Sequence, residues 1–256
     1  MHILITNDDG VGAPGLLALK QALAPLGRVT VVAPSRNYSA AGHRKTMHKP
    51  LRIDETQLSD GSTAWVCSGA PSDCVALALL GFVKEKVDLV VSGINPHHNL
   101  GQDVTYSGTV TAAIEGVIAG VAGMAVSTEA LSPADYETTA RAAARIVAAI
   151  GRYGLPANTL LNVNMPPASP TGSGIKGVRI TRQGLRVYRD ELVERLDPRG
   201  RPYYWIGGEM PTGVMEEGTD FWAVENGYVS ITPLQLDLTA HEAMPTLEQW
   251  KIELPG

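Results

Sequence analysis

The chain has 256 residues, 44% hydrophobic and 18% charged, with a net charge of −5. That is the size and composition of one large α/β domain, and it excludes long disorder, a basic nucleic-acid groove and a polybasic membrane patch. No run of about 18 apolar residues exists, which excludes a membrane-spanning helix, and Met1-His2-Ile3-Leu4-Ile5-Thr6 lacks the basic and apolar regions of a secretory signal.

His2–Thr6 reads as a buried strand ending in the turn cluster Asn7-Asp8-Asp9-Gly10. Pro14-Gly15 opens a helix with Leu16, Leu19, Leu23 and Leu26 at helical spacing, and Val29–Ala33 is the next strand, stopped by Pro34. This β-α-β rhythm implies a parallel sheet with right-handed crossovers. It continues through a helix over Pro71–Val83, a strand over Asp88–Ser92, a helix over Gly108–Gly120 and a strand over Met124–Ser127. Ser132-Pro133-Ala134-Asp135 is a helix start, with a capping serine, proline at the first helical position and an acid at the third. Tyr136, Ala140, Ala143, Val147 and Ile150 supply that helix's core stripe, Gly151 is expected to stop it, and Leu160–Val163 is a further strand.

The composition changes after Pro166-Pro167. Residues 168–177 are rich in Gly, Ser and Pro and read as a loop. Val178–Thr181, Leu185–Tyr188, Tyr203–Ile206 and Tyr228–Thr232 look like strands, with no convincing helix among them. The expected fold is a Rossmann-like α/β core over 1–167, mostly parallel with helices on both faces. A β-rich extension or hairpin arm over 168–256 belongs to the same overall domain.

Ligands of such folds sit at the carboxyl ends of the strands. The polar residues there are Asn7, Asp8 and Asp9; then Ser35, Arg36, Asn37 and Ser39; then Asn95, Asn99, Asp103, Ser107, Gly108 and Thr109; and finally Asn164. Adjacent carboxylates in a turn repel one another unless a cation or strong donors lie nearby. Oxygen ligands such as Asp, Asn and Ser suit a hard cation, magnesium or manganese, better than zinc. Tyr106-Ser107-Gly108-Thr109 puts small hydroxyl residues and a glycine at a helix N-terminus, which can cradle a phosphate or serve as an ordinary cap.

Gly10-Val11-Gly12-Ala13-Pro14-Gly15 matches the dinucleotide pattern G-x-G-x-x-G. Asp8 and Asp9 would repel a pyrophosphate there, and Pro34-Ser35-Arg36 stands where an acid would take the ribose, so a nicotinamide-linked enzyme is disfavoured. There is no G-x-S-x-G elbow and no H-E-x-x-H. His43 and His48 flank a basic patch, Arg44, Lys45 and Lys49, suited either to neutralising phosphate or to solvation. Cys67 and Cys74 are too few for a disulfide framework, and read as buried reduced thiols of a cytoplasmic protein.

The residues together resemble a known family, the stationary-phase survival protein SurE, a group of metal-dependent nucleotide phosphatases. The resemblance spans nearly the whole chain. It rests on Ile5-Thr6-Asn7-Asp8-Asp9-Gly10 with Pro14-Gly15, Gly69-Ala70-Pro71-Ser72-Asp73, Ser92-Gly93-Ile94-Asn95, Asn99-Leu100-Gly101 and Tyr106-Ser107-Gly108-Thr109-Val110. It continues through Asn162-Val163-Asn164, Gly218-Thr219-Asp220 and Ser230-Ile231-Thr232-Pro233-Leu234. It implies hydrolysis of nucleoside 5′- or 3′-monophosphates, and also of short polyphosphate, with one divalent cation per subunit, magnesium or manganese. It implies metal ligands at Asp8, Asp9, Ser39 and Asn95, with Asp8 and Asp9 catalytic, and phosphate contacts at Asn7, Ser107, Gly108 and Thr109. It further implies a homo-oligomer, dimer or tetramer, built through the C-terminal β arm, with a small nucleotide as partner rather than a nucleic-acid duplex or a membrane. The alternative is a catalytically silent nucleotide-binding protein of the same fold. The chain departs from the family pattern at His97, Ala40 and Thr111, where the family usually has glycine, and none of these removes an implied ligand.

Overall fold

A computed structural model describes residues 1–166 and 175–252. The first half alternates strand and helix: β1 (His2–Thr6), α1 (Pro14–Leu23), β2 (Arg28–Pro34), β3 (Ile53–Gln57), β4 (Thr63–Cys67), α2 (Pro71–Leu77), β5 (Leu89–Asn95), α3 (Gly108–Ile118), β6 (Ala122–Ser127), α4 (Pro133–Tyr153) and β7 (Thr159–Asn164). The remainder is β8 (Gly177–Ile180), β9 (Arg186–Leu196), β10 (Pro202–Gly213), α5 (Asp220–Glu225), β11 (Tyr228–Gln235) and α6 (Met244–Glu248).

Nine strands form one sheet in the order β3-β4-β2-β1-β5-β6-β7-β11-β8. All neighbours are parallel except β3 with β4 and β7 with β11. The fold is therefore Rossmann-like, with β9 and β10 set apart as a two-stranded antiparallel ribbon.

The pleat of β1 distributes its side chains between two cores. Ile3 and Ile5 pack with Leu16, Leu19, Ala143 and Val147 under α1 and α4, while Leu4 packs with Cys74, Val75 and Ala112 under α2 and α3. A strand covered on both faces must be apolar on both, which is why His2–Thr6 reads as a continuous run. Both cysteines are buried and free. The Ser132 hydroxyl and N–H both donate to Asp135 at the start of α4, at 2.9 and 2.7 Å.

Four differences from the sequence expectation stand out. Strands β3 and β4 were not anticipated. α4 runs past Gly151 and ends at Gly154, which takes a left-handed φ of 72°. The C-terminal portion contains the short helices α5 and α6. Its strands also divide: β8 and β11 extend the main sheet, and only β9 and β10 form the ribbon. Most of the expected loop at 168–177 lies outside the described residues.

Candidate active site

The order of the sheet reverses at β1, with β2 on one side and β5 on the other, so the crevice of this fold opens at their carboxyl ends. Asp8 and Asp9 follow β1, Ser39 lies in the loop after β2, and Asn95 ends β5. Ser107, Gly108 and Thr109 form the first turn of α3 after a 3₁₀ turn over Gly101–Thr105.

Asp8 is 3% exposed, so it is not a solvated turn residue. Its Oδ1 accepts the Thr109 hydroxyl at 2.5 Å. Burial raises its pKa above the usual carboxylate range, against the Thr109 hydroxyl and the N–H groups of Thr109 and Gly108, which favour the charged form. A Cβ on Gly108 would lie 2.7 Å from Asp8 Cβ and 2.8 Å from Oδ2. Glycine at 108 is what lets the carboxylate seat itself against the positive end of the helix.

Asp9 is less enclosed and is pushed up to about 6, first by burial and then by the Asp8 charge, with His97 opposing. Two carboxylates held this way favour a cation between or beside them. Asn37 donates to Asp9 at 3.5 Å, and its own Oδ1 accepts the Ser39 N–H at 2.6 Å. Asn95 donates its amide nitrogen to the His97 carbonyl at 2.6 Å, which leaves the amide oxygen for a ligand. Two carboxylates with neutral oxygens fit magnesium or manganese. Asn7 spends its amide on the turn itself: Nδ2 donates to the Gly10 carbonyl at 2.9 Å, and Oδ1 accepts the Gly10 N–H at 3.2 Å. Ser107 caps α3, its Oγ accepting the Val110 N–H at 3.1 Å.

The loop that carries Ser39 is pinned on several sides. The Tyr38 N–H donates to the Asp8 carbonyl at 2.7 Å, and the Gly42 N–H to the Tyr106 carbonyl at 3.0 Å. Lys45 pairs with Glu115 of α3 at 2.6 Å, and His43 at 2.9 Å. The Thr46 N–H and hydroxyl donate to Asp73 of α2 at 2.9 and 2.6 Å. Lys45 of the basic patch, though half exposed, is thus engaged with a carboxylate of the protein. It anchors the loop to a carboxylate whose side chain is only 6% exposed. The signal was legible in one place, since Glu115 is the single acid inside an apolar stretch.

Other strand-end candidates serve as support. Asn164 Oδ1 accepts the Asn99 N–H at 2.8 Å, and the amide groups of Asn162 and Asn164 donate to the Asn99 carbonyl at 2.8 and 3.1 Å. Asp103 pairs with Arg186 at 3.0 Å and accepts the Tyr188 hydroxyl at 2.6 Å, tying the base of the β9–β10 ribbon to the turn before Ser107. Asp220, missed as a candidate, is fully buried and accepts the N–H groups of Gly101, Gly184 and Phe221 at 2.8, 2.8 and 2.9 Å. His98 is half-buried and donates to the Met165 carbonyl at 2.5 Å, whereas the His97 side chain is exposed.

The sequence profile of the family described as "Survival protein SurE" matches residues 3–190. This chain belongs to the SurE family. The "5'-nucleotidase SurE" of Chloroflexus aggregans is 53% identical over 257 residues, covering 99% of this chain and all of that one. The "5'-nucleotidase SurE 1" of Thermus thermophilus is 48% identical, with 96% of each chain covered. The crystal structure of the SurE protein from Aquifex aeolicus superposes with a TM-score of 0.83 at 41% identity, covering 98% of this chain and 100% of that one. Similarity to SurE proteins thus extends through the ribbon and the last strand of the main sheet.

Proposed function

We propose that this SurE-family chain is a divalent-metal-dependent phosphomonoesterase that hydrolyses nucleoside 5′-monophosphates to nucleoside and phosphate. The observation that carries this reading is the Asp8–Asp9 pair in the crevice at the turn of the sheet, one carboxylate seated on the N-terminus of α3 and the other open to the cavity beside it. Relatives named as 5′-nucleotidases support the substrate class.

Asp8, Asp9, Ser39 and Asn95 are the residues that would hold one magnesium or manganese ion per subunit. When bound, such an ion polarises phosphoryl oxygens and lowers the pKa of a coordinated water. The chain's own groups do the positioning. Thr109 and the α3 N-terminus orient Asp8, the Ser107 hydroxyl is free to donate its proton to a phosphoryl oxygen, and Asn7 holds the turn that presents both acids. The core over 1–167 carries this site, and the extension over 168–256 braces it through Asp220 and Arg186.

The protein acts in the cytoplasm with both thiols reduced. Among the described residues, no helix is long and apolar enough to cross a membrane. It assembles as a homo-oligomer through the ribbon, where Leu192, Leu196, Tyr204, Trp205 and Ile206 are exposed in a pattern that a second copy would cover.

Phosphate release from a panel of nucleoside monophosphates tests the reading. Release should vanish with EDTA and return with magnesium or manganese. No release with any metal would leave the silent nucleotide-binding alternative in place.

A further inference from the structure

The crevice is closed on one side of the carboxylates and open on the other. Asp8 is 3% exposed and faces the first turn of α3, with Gly108 and Thr109 in contact, so that side is closed. Asp9 borders a cavity of about 370 Å³ walled by Gly12, Arg36, Ile94, Pro96 and Tyr136. That volume lies in the range of small-molecule sites. A second cavity of about 340 Å³ shares the Val11–Pro14 turn and Tyr136 with it. A larger cavity of about 790 Å³ between α4 and β8 is remote from the carboxylates and has no part in this argument.

From this geometry we infer that the cavity beside Asp9 is the nucleoside subsite, with Arg36 and Tyr136 as the groups that hold the base. The inference rests on the proposed nucleotidase function and deepens it. Asp8 is enclosed by α3, and the cavity that borders the carboxylate pair begins at Asp9.

The wall chemistry suits a flat heteroaromatic ring. Arg36 presents a planar guanidinium, 5.1 Å from the centroid of the Tyr38 ring, which sets its orientation. Tyr136 presents an aromatic ring held near Gly15, where a Cβ would come within 2.9 Å of its Cε1. The position of a Cβ on Gly12 has no heavy atom within 4 Å, so the turn leaves open space on its cavity side. Guanidinium planes and aromatic rings both stack on nucleobases, and do so with little dependence on base identity. The subsite therefore predicts broad base tolerance with a clear preference for nucleotides over simple phosphate esters.

The test compares kcat/KM for adenosine 5′-monophosphate with that for methyl phosphate, both with saturating manganese, in the full-length chain and in Arg36→Ala, Tyr136→Leu and Tyr136→Phe. The expected result is a fall of roughly tenfold in the nucleotide-to-methyl-phosphate ratio for Arg36→Ala and Tyr136→Leu, carried by KM. Tyr136→Phe, which keeps the ring, should recover most of the Tyr136→Leu loss. An equal fall on both substrates would place these residues on the phosphoryl group or in the site's framework and overturn the inference. So would ratios unchanged in Arg36→Ala and Tyr136→Leu, which would put the nucleoside elsewhere. A full-length chain active on methyl phosphate but on no nucleotide would instead remove the proposed function, and this inference with it.

Discussion

Gly108 has no side chain because the carboxylate of Asp8 occupies the place where one would stand. The two residues are far apart in the chain and come from different layers of the fold. Their contact joins an acidic turn to the positive end of a helix. Gly108→Ala should therefore push Asp8 off the helix. About a hundredfold loss of kcat/KM is expected, since displacement of about 1 Å at a site can cost that much. The fold should survive with about 1–3 kcal/mol of overpacking cost. Kinetics together with thermal unfolding would check this. A variant as active as the parent would show that the contact does not matter.

Asp9→Asn should abolish most turnover, by about a hundredfold or more. It should also raise the thermal midpoint of the metal-free protein at pH 7.5. The reason is a sign. The Asp9 pKa lies above its ordinary value, at about 6, so the folded chain holds this proton more tightly than the unfolded chain does. Ionising it costs stability, and the cost accumulates as pH rises from the ordinary carboxylate value through about 6. In EDTA, the midpoint gap between Asp9→Asn and the parent should be near zero at pH 4 and widen toward pH 7.5.

Added manganese should invert that order at pH 7.5. A ligand that binds only the folded state stabilises it by mass action, and deprotonated carboxylates are the form that binds. The parent's midpoint should rise with manganese, and rise less at pH 5, where Asp9 is mostly protonated. The midpoint of Asp9→Asn should respond weakly at both. Equal metal responses in parent and variant would contradict Asp9 as a ligand.

Glu115→Gln tests the loop anchors. It removes charge-assisted bonds to Lys45 and His43 from a buried position, at a cost of about 1–3 kcal/mol. The His43 and Lys45 bonds hold the Glu115 carboxyl below its ordinary range, against desolvation. Its stabilising effect is therefore present above the ordinary glutamate value and fades as pH falls through the lowered one. Because the anchored loop carries Ser39, the manganese concentration for half-maximal activity should rise several-fold while kcat at saturation changes less. A titration of activity against metal would show it.

Much of this arrangement is legible in the sequence, for identifiable reasons. The buried strands β1, β5 and β7 announce themselves because parallel strands covered on both faces must be apolar throughout. The turn residues after them then fall at one edge by topology alone. Strand β3 escaped because Ile53-Asp54-Glu55-Thr56-Gln57 lies at the sheet's edge with its polar side chains in water. α5 escaped because six residues show no period. Asn7, Asn99 and Asn164 were sound as strand-end residues, but which of them faces a ligand and which is consumed by a neighbouring backbone is decided by contacts such as Asn164 with Asn99, 65 residues apart. Asp220 was visible only as one letter of a motif. Its three backbone donors come from Gly101, Gly184 and its own neighbour Phe221, and nothing local foretells such a convergence.

The position of β11 has a consequence for how the chain is made. It lies between β7 and β8, although it follows both in sequence. As the polypeptide leaves the ribosome, β7 emerges with one bare edge, and β8 has no strand to join until residue 228 and beyond have appeared. The first seven strands and their helices can assemble early, but the β7 edge stays open until residues 228–235 have appeared. Slow translation or premature termination within the ribbon should therefore expose a sticky edge and favour aggregation, an edge that the arrival of β11 covers.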